Sequence, residues 1–160
     1  MVKYLVAPLI LIFLGCEMNS EQLIKSENIN FENINFNAVS KDLNFANIQE
    51  GPEVDFSKKL ITYWFNNNIK INGFDGNLNV NVTSIEINKI KKDEYYRFEI
   101  TLSIEFLETN EVLNKRKIYK VSSKEHGEIQ GSFSIKDTEN LYKNIISNSL
   151  KSINQKVSEM

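Results

Sequence analysis

The sequence has 160 residues, enough for about one domain, and its 19 basic and 21 acidic side chains leave a net charge of −2. Hydrophobic residues make up 41% of the chain and charged residues 25%, a composition that supports a folded core. A single Cys and a single His exclude a disulfide framework, a zinc site of several Cys and His ligands, and a choice of histidines for a Ser-His-Asp triad. We expect no nucleic-acid partner, no cofactor and no metal.

Residues 1–15 have the pattern of a secretory signal. Lys3 precedes the apolar run Leu5–Leu14, which only Pro8 interrupts. This run is about half as long as the ~20 residues that a membrane-spanning helix needs. We therefore predict that this segment directs export and is removed.

The cysteine, Cys16, follows this run directly. The segment ending in Gly15-Cys16 resembles the lipobox of bacterial lipoproteins, although Phe13 and Leu14 stand where Leu and a small residue are commoner. The resemblance implies that Cys16 is the lipidation site: its sulfur takes a diacylglycerol, the chain is cut before it, and the new amino group is acylated, as with palmitate. The alternatives are an ordinary signal peptide with an incidental cysteine, or a short uncleaved anchor.

Such an anchor would hold the protein in the cell envelope with its domain facing the periplasm. Glu17 follows the cysteine, whereas an Asp there tends to retain Gram-negative lipoproteins at the inner membrane, so the resemblance favours the outer membrane. Residues 16–30 are polar and without periodicity, as is typical of a tether. We predict that residues 31–160 form a single periplasmic domain.

The first predicted elements are a strand and a helix. Alternating apolar residues predict one strand within Asn35–Ile48, interrupted by Lys41-Asp42 and ended by Gly51-Pro52. A helix is predicted over Asp55–Ile71, with Asp55 as its cap and Asn72-Gly73 as its end. Its apolar residues are spaced three or four apart: Phe56, Leu60, Tyr63, Trp64 and Ile71.

Three strands are predicted next. Apolar residues in Leu78–Ile87 alternate but change parity, so we predict a bulge near Thr83-Ser84. Tyr96–Phe106 alternates without interruption between an apolar and a polar face. A hairpin turn at Glu108–Glu111 leads to an edge strand, Leu113–Ser123, whose charged start would discourage pairing with other chains.

A polar loop, Lys124–Ser132, is predicted to precede a last helix over Lys136–Val157. Ser134–Asp137 has the pattern of a helix cap. One broad apolar stripe runs along this helix: Leu141, Tyr142, Ile145, Ile146, Leu150, Ile153 and Val157. Because this stripe must be covered, the sequence predicts an α+β two-layer sandwich of about four mostly antiparallel strands with two helices on one face, in the order β-α-β-β-β-α.

Few residues have the spacing of known catalytic groups. We expect that the protein is not an enzyme and that it has no catalytic residue. His126 is flanked by polar residues and is interpreted as an exposed loop histidine. Glu99 and Glu105 lie six residues apart on a predicted strand, roughly 20 Å, whereas a glycosidase pair is ~5–9.5 Å apart. We interpret both carboxylates as part of a solvated face.

The basic residues are interpreted as one concentration, which is either a solubilising edge or a surface for anionic lipid or an acidic partner. Its members are Lys89, Lys91, Lys92, Lys115, Arg116, Lys117 and Lys120. Tyr63 and Trp64 are interpreted as packing between helix and sheet. The turn Gly73–Gly76 lacks the Lys-Ser/Thr pair of a phosphate-binding loop.

From about Phe56 onward the chain resembles a group of small alphaproteobacterial lipoproteins with no assigned activity. The resemblance is carried by the helix with Trp64, the turn Asn72-Gly73-Phe74-Asp75-Gly76, the strand pair after it and the closing helix. In architecture the predicted domain is similar to the lipopolysaccharide-assembly lipoprotein of the outer membrane and to auxiliary lipoproteins of lipid-transport ABC systems. The resemblance implies no functional residue beyond Cys16.

Two functions follow as hypotheses. The first is a non-enzymatic envelope lipoprotein, a binding or accessory subunit of an envelope transport or assembly system, that meets membrane lipid through acylated Cys16 and a protein partner through an edge strand or groove. The second is a carrier of a small molecule or lipid in a cavity between sheet and helices. A filled core with an exposed apolar patch or free strand edge would favour the first, and an enclosed apolar cavity the second.

Overall fold

A computed structural model describes residues 30–46, 48 and 50–160. The predicted signal, Cys16 and nearly all of the predicted tether therefore lie outside the described residues. The elements in chain order are β1 (Ile34–Phe36), β2 (Ser40–Phe45), α1 (Pro52–Asn68), β3 (Ile69–Ile71), β4 (Asn77–Lys92), β5 (Tyr95–Asn110), β6 (Lys115–Gln130) and α2 (Ile135–Ser158).

The main sheet has four strands in the order β2-β4-β5-β6. The pairs β4–β5 and β5–β6 are antiparallel, and β2 joins β4 in parallel. Trp64 of α1 contacts Phe106 edge to face with ring centroids 6.3 Å apart, and Tyr142 of α2 contacts Phe98 at 6.1 Å. Phe98 and Phe106 lie on the same face of β5, so both helices cover that face and the predicted α+β sandwich is confirmed.

Alternation buries one face of the long strands, as predicted. The buried residues of β5 are Tyr96, Phe98, Ile100, Leu102, Ile104 and Phe106. On β4 the register with β5 shifts between Val82 and Ser84, which confirms the predicted bulge. The bulge lets Val82 and Ile85, of opposite parity, both reach the core.

The single strand predicted over Asn35–Ile48 is wrong, because the structure has two short strands in different sheets. β1 pairs in parallel with β3 in a two-stranded sheet, whereas β2 pairs with β4. The chain changes sheet at Asn37–Val39, where Ala38 is buried in step with Phe36. Because apolar residues continue to alternate through Asn37–Val39, the sequence pattern does not indicate the change of sheet.

The helix α1 begins and ends three residues earlier than predicted. Gly51 is the N-cap residue and Pro52 the first helical residue, where a missing N–H costs no helical hydrogen bond, so Asp55 lies inside the first turn. The end is shifted because Ile69–Ile71 leaves the helix to form β3. The Nζ of Lys41 lies 2.8 Å from the carbonyl oxygen of Phe65, to which it donates at the helix end.

The β5–β6 turn occupies Glu111–Asn114 rather than Glu108–Glu111, and β6 continues to Gln130. The predicted loop over Lys124–Ser132 is therefore wrong for most of its length. These residues pair with the first half of β5 although few are apolar. Gly127 permits the close approach of α2, since a Cβ there would lie 2.8 Å from Cδ1 of Ile145.

The helix α2 confirms the predicted cap and apolar stripe. Ser134 and Asp137 form a capping box at its start. Its stripe is buried or half-buried against the sheet and α1. Asn154 adds a buried polar contact, because its Oδ1 accepts a 2.7 Å hydrogen bond from Nε1 of the fully buried Trp64.

Candidate functional site

His126 and the two candidate carboxylates lie on the polar side of the sheet. His126 is exposed, as expected, but it lies on β6 opposite Glu99 rather than in a loop. Glu99 accepts a 2.9 Å hydrogen bond from Nε of Arg97, and this contact lowers the pKa of the Glu99 carboxyl. Glu105 lies 3.2 Å from Nζ of Lys120. The two glutamates thus belong to separate surface ion pairs.

The interpretation of the basic residues as one concentration is wrong. Lys89–Lys92 lie beside Tyr95–Phe98, at the start of β5, whereas Lys115–Lys120 lie beside Glu105–Asn110, at its end. At least seven residues of extended strand separate the two groups, roughly 23 Å. The antiparallel register therefore places them at opposite ends of the sheet.

The layer between sheet and helices is filled by large side chains. Trp64, Phe98 and Phe106 are fully buried, and Tyr63 is partly buried against the same cluster, which confirms their predicted packing role. A shallow cleft of about 390 Å³ lies outside this layer, between Asn30 and the last turns of α2. Within the described residues, no group of three or more His, Cys, Asp or Glu is placed to hold a metal ion.

Three connections meet at one end of the sheet: Asn37–Val39, Asn72–Gly76 and Glu111–Asn114. We call this set the loop end. The backbone N–H of Val39 donates to the carbonyl of Gly76 at 3.0 Å, and the N–H of Val112 donates to Oδ2 of Asp75 at 2.9 Å. These hydrogen bonds join the connections into one surface.

Gly76 fixes the loop end against β5. Its φ of +84° lies in the left-handed region that favours glycine. A Cβ at this position would lie 1.8 Å from the carbonyl oxygen of Thr109, so any other side chain would displace the backbone. The turn predicted at Gly73–Gly76 is thus a tightly packed connection.

The loop end carries four exposed apolar side chains. Phe74 is fully exposed, and the exposed fractions of Val112, Leu113 and Val39 are 81%, 60% and 58%. The cations Lys115–Lys117 follow directly along β6 and are also exposed. Sequence reasoning missed this surface, although apolar residues inside turn segments were a visible signal.

The strand β6 forms one edge of the sheet. Among the described strands only β5 pairs with it, so its other side has no neighbouring strand. The carbonyl of Ser122 points away from β5, since it accepts a hydrogen bond from Nζ of Lys156 on α2. The stretch Lys115–Lys120 continues beyond this contact towards the loop end.

None of the helices in the described part of the chain is both long and apolar enough to cross a membrane. No family model matches the sequence, and neither does any curated protein.

A comparison with solved structures finds partial similarity to several bacterial proteins. A minor lipoprotein from Acinetobacter baumannii is 12% identical, with a TM-score of 0.45 over 75% of this chain and 90% of that one. A protein from Xanthomonas campestris is 10% identical, with a TM-score of 0.42 over 82% and 86% of the two chains. Rare lipoprotein B from Shewanella oneidensis is 7% identical, with a TM-score of 0.39 over 75% and 91%. All three TM-scores lie below 0.5 and all three identities below 25%, so these similarities decide nothing about the role of this chain.

Proposed function

We propose that this chain is an envelope lipoprotein, exported by residues 1–15 and anchored through acylated Cys16, that acts as a non-enzymatic binding or accessory subunit of an envelope transport or assembly system. The apolar run before Gly15-Cys16 supports the anchor, and Glu17 supports the outer rather than the inner membrane. Within the domain the proposal is carried by one observation, the side of β6 with which none of the described strands pairs.

The free side of β6 suits the addition of a strand from a protein partner. In an antiparallel ladder the backbone groups of alternate residues point away from the neighbouring strand. The outward carbonyl of Ser122 places Lys120 and Ile118 in the same outward set. A partner strand would bind these groups through main-chain hydrogen bonds, and the adjacent cations favour an acidic partner.

A carrier of a small molecule or lipid is the second candidate function. It requires an apolar cavity between sheet and helices, and that layer is occupied by Trp64, Phe98 and Phe106. Because packed interiors leave little space, a ligand of lipid size would have to separate the helices from the sheet. The packing therefore supports a binding module more than a carrier.

The test is a pull-down from detergent-solubilised membranes with the unsubstituted full-length protein and two variants of it at Ile118. Ile118→Pro removes an outward N–H from the edge strand, whereas Ile118→Thr keeps it and serves as the matched control. We expect Ile118→Pro to weaken recovery of a stoichiometric partner about 10-fold, which corresponds to one main-chain hydrogen bond, and Ile118→Thr to leave it unchanged.

Urea unfolding of both variants establishes that β6 remains folded. A partner that binds both equally well would contradict strand addition, and recovery of lipid without a protein would favour the carrier. The variant Cys16→Ala separates the two parts of the proposal, because it should abolish acylation at residue 16 while leaving partner binding by the domain intact.

A further inference from the structure

We propose that the loop end is a membrane-contact surface: Phe74, Val112 and Leu113 insert into the interfacial region of a phospholipid bilayer, beside the cations that begin β6. The proposal rests on the proposed function in one respect, because the lipid on Cys16 supplies the tether to that bilayer. The contact is peripheral and leaves the core of the domain in water.

Exposure and shape favour a bilayer as the occupant. Phe74 is fully exposed and Val112 is 81% exposed, although each could have been a polar turn residue at no cost to packing. Both project from connections held together by the Val112–Asp75 hydrogen bond. A protruding set of one aromatic and several aliphatic side chains is typical of surfaces that enter a bilayer interface, where aromatic rings are enriched.

The charges around these side chains balance one another. The cations are Lys115–Lys117, and the carboxylates are Asp75, Glu108 and Glu111. Asp75 is occupied by the N–H of Val112, and Glu108 lies 3.9 Å from Nζ of Lys117. Asp75 keeps its charge, so three cations face three carboxylates and the surface has no net charge; the proposed insertion therefore depends on the apolar side chains and does not require anionic lipid.

The position of the tether allows the contact. The described chain begins at Asn30, and Asn37 already belongs to the loop end, so these two residues are at most about 25 Å apart. The segment from Cys16 to Asn30 spans at most about 50 Å. The loop end can therefore reach the leaflet that holds the anchor, and tethering makes even weak insertion effective because it raises the local concentration of bilayer.

The experiment measures the depth of the loop end with a fluorescent reporter. Full-length protein is reconstituted into vesicles of zwitterionic and anionic phospholipid, with or without bromine on the acyl chains. The substitution Phe74→Trp introduces a tryptophan at the loop end as the fluorescent reporter. The fully buried Trp64 also emits, and the unsubstituted protein gives the size of this background. Ile135→Trp is the matched control, because Ile135 is 79% exposed at the start of α2, near the opposite end of β6.

We expect brominated lipid to lower emission at position 74 at least about twofold and to leave position 135 unchanged. Equal emission at position 74 in vesicles with and without brominated acyl chains overturns the proposal. A blue shift without quenching also overturns it and assigns the loop end to a protein contact. The mass of the residue-16 peptide, measured on the same sample, separates the two claims: acylation without quenching contradicts only the insertion, and quenching without acylation contradicts only the anchor.

Discussion

Gly76 and Gly131 are two glycines at which substitution should reduce the free energy of unfolding by different amounts. Both have a φ of +84°. A Cβ on Gly76 would collide with the backbone of Thr109, whereas a Cβ on Gly131 would meet no atom within 4 Å. Both glycines thus have a left-handed backbone conformation, but of the two only Gly76 also has a close backbone contact, with Thr109.

This pair gives a prediction on stability. We expect Gly131→Ala to lower the free energy of unfolding by about 1–2 kcal/mol, the cost of a left-handed non-glycine residue. Gly76→Ala should cost ~1–3 kcal/mol more, because it also overpacks the contact with Thr109. Urea unfolding measures both, and equal losses would show that the loop end is looser than described.

At the scale of elements, the cap of α2 couples stability to pH. The backbone N–H and the hydroxyl of Ser134 donate to Oδ2 of Asp137, each at 2.7 Å, and lower the pKa of this carboxyl below its ordinary value of 3.8. The ionised carboxylate therefore stabilises the folded state above pH 3.8. This contribution is lost as the pH falls through the lowered value.

We accordingly expect Asp137→Ala to be less stable than the unsubstituted protein near neutral pH, with a deficit that shrinks as the pH falls below 3.8. The measurement is the urea midpoint across this range. Glu139→Ala removes an exposed carboxylate from the same helix and controls for the general loss of negative charge. A deficit for Asp137→Ala that persists unchanged in acid would contradict the assigned role of the cap.

Periodic patterns made β4, β5 and α2 predictable, whereas tertiary contacts decided the short strands and the second half of β6. The uninterrupted alternation in β5 and the stripe of α2 were sufficient to place both, and the parity change in β4 located the bulge. By contrast, β1 and β3 are strands only because they pair with each other. Lys41 read as an interruption of a strand, whereas its ammonium group caps α1 from 24 residues away.

The candidate surfaces were predictable only in part. The edge position of β6 followed from its charged start, and the topology confirms it. The apolar residues inside the turn segments of the loop end were visible in the sequence, but the meeting of its three connections was not, because it depends on hydrogen bonds of Val39 and Val112 to distant residues. The separation of the basic residues into two groups likewise depends on the register of the strands, which cannot be deduced from the amino-acid composition.

At the scale of the whole molecule, the proposed protein consists of an anchor and a packed domain with two surfaces. The domain contributes a free strand edge on β6 and an apolar loop end, and both sit on a core occupied by large side chains. The anchor would keep Asn30 within about 50 Å of a leaflet and the loop end within about 75 Å of it. Under the proposed function, both surfaces would serve binding near a membrane.

The central claim is the lipid on Cys16, and mass spectrometry of the protein isolated from membranes tests it most directly. We predict that the N-terminal peptide begins at Cys16 and carries a thioether-linked diacylglycerol, with an acyl chain on its amino group. A peptide that continues from Gly15 into a cysteine with a free thiol would contradict the account.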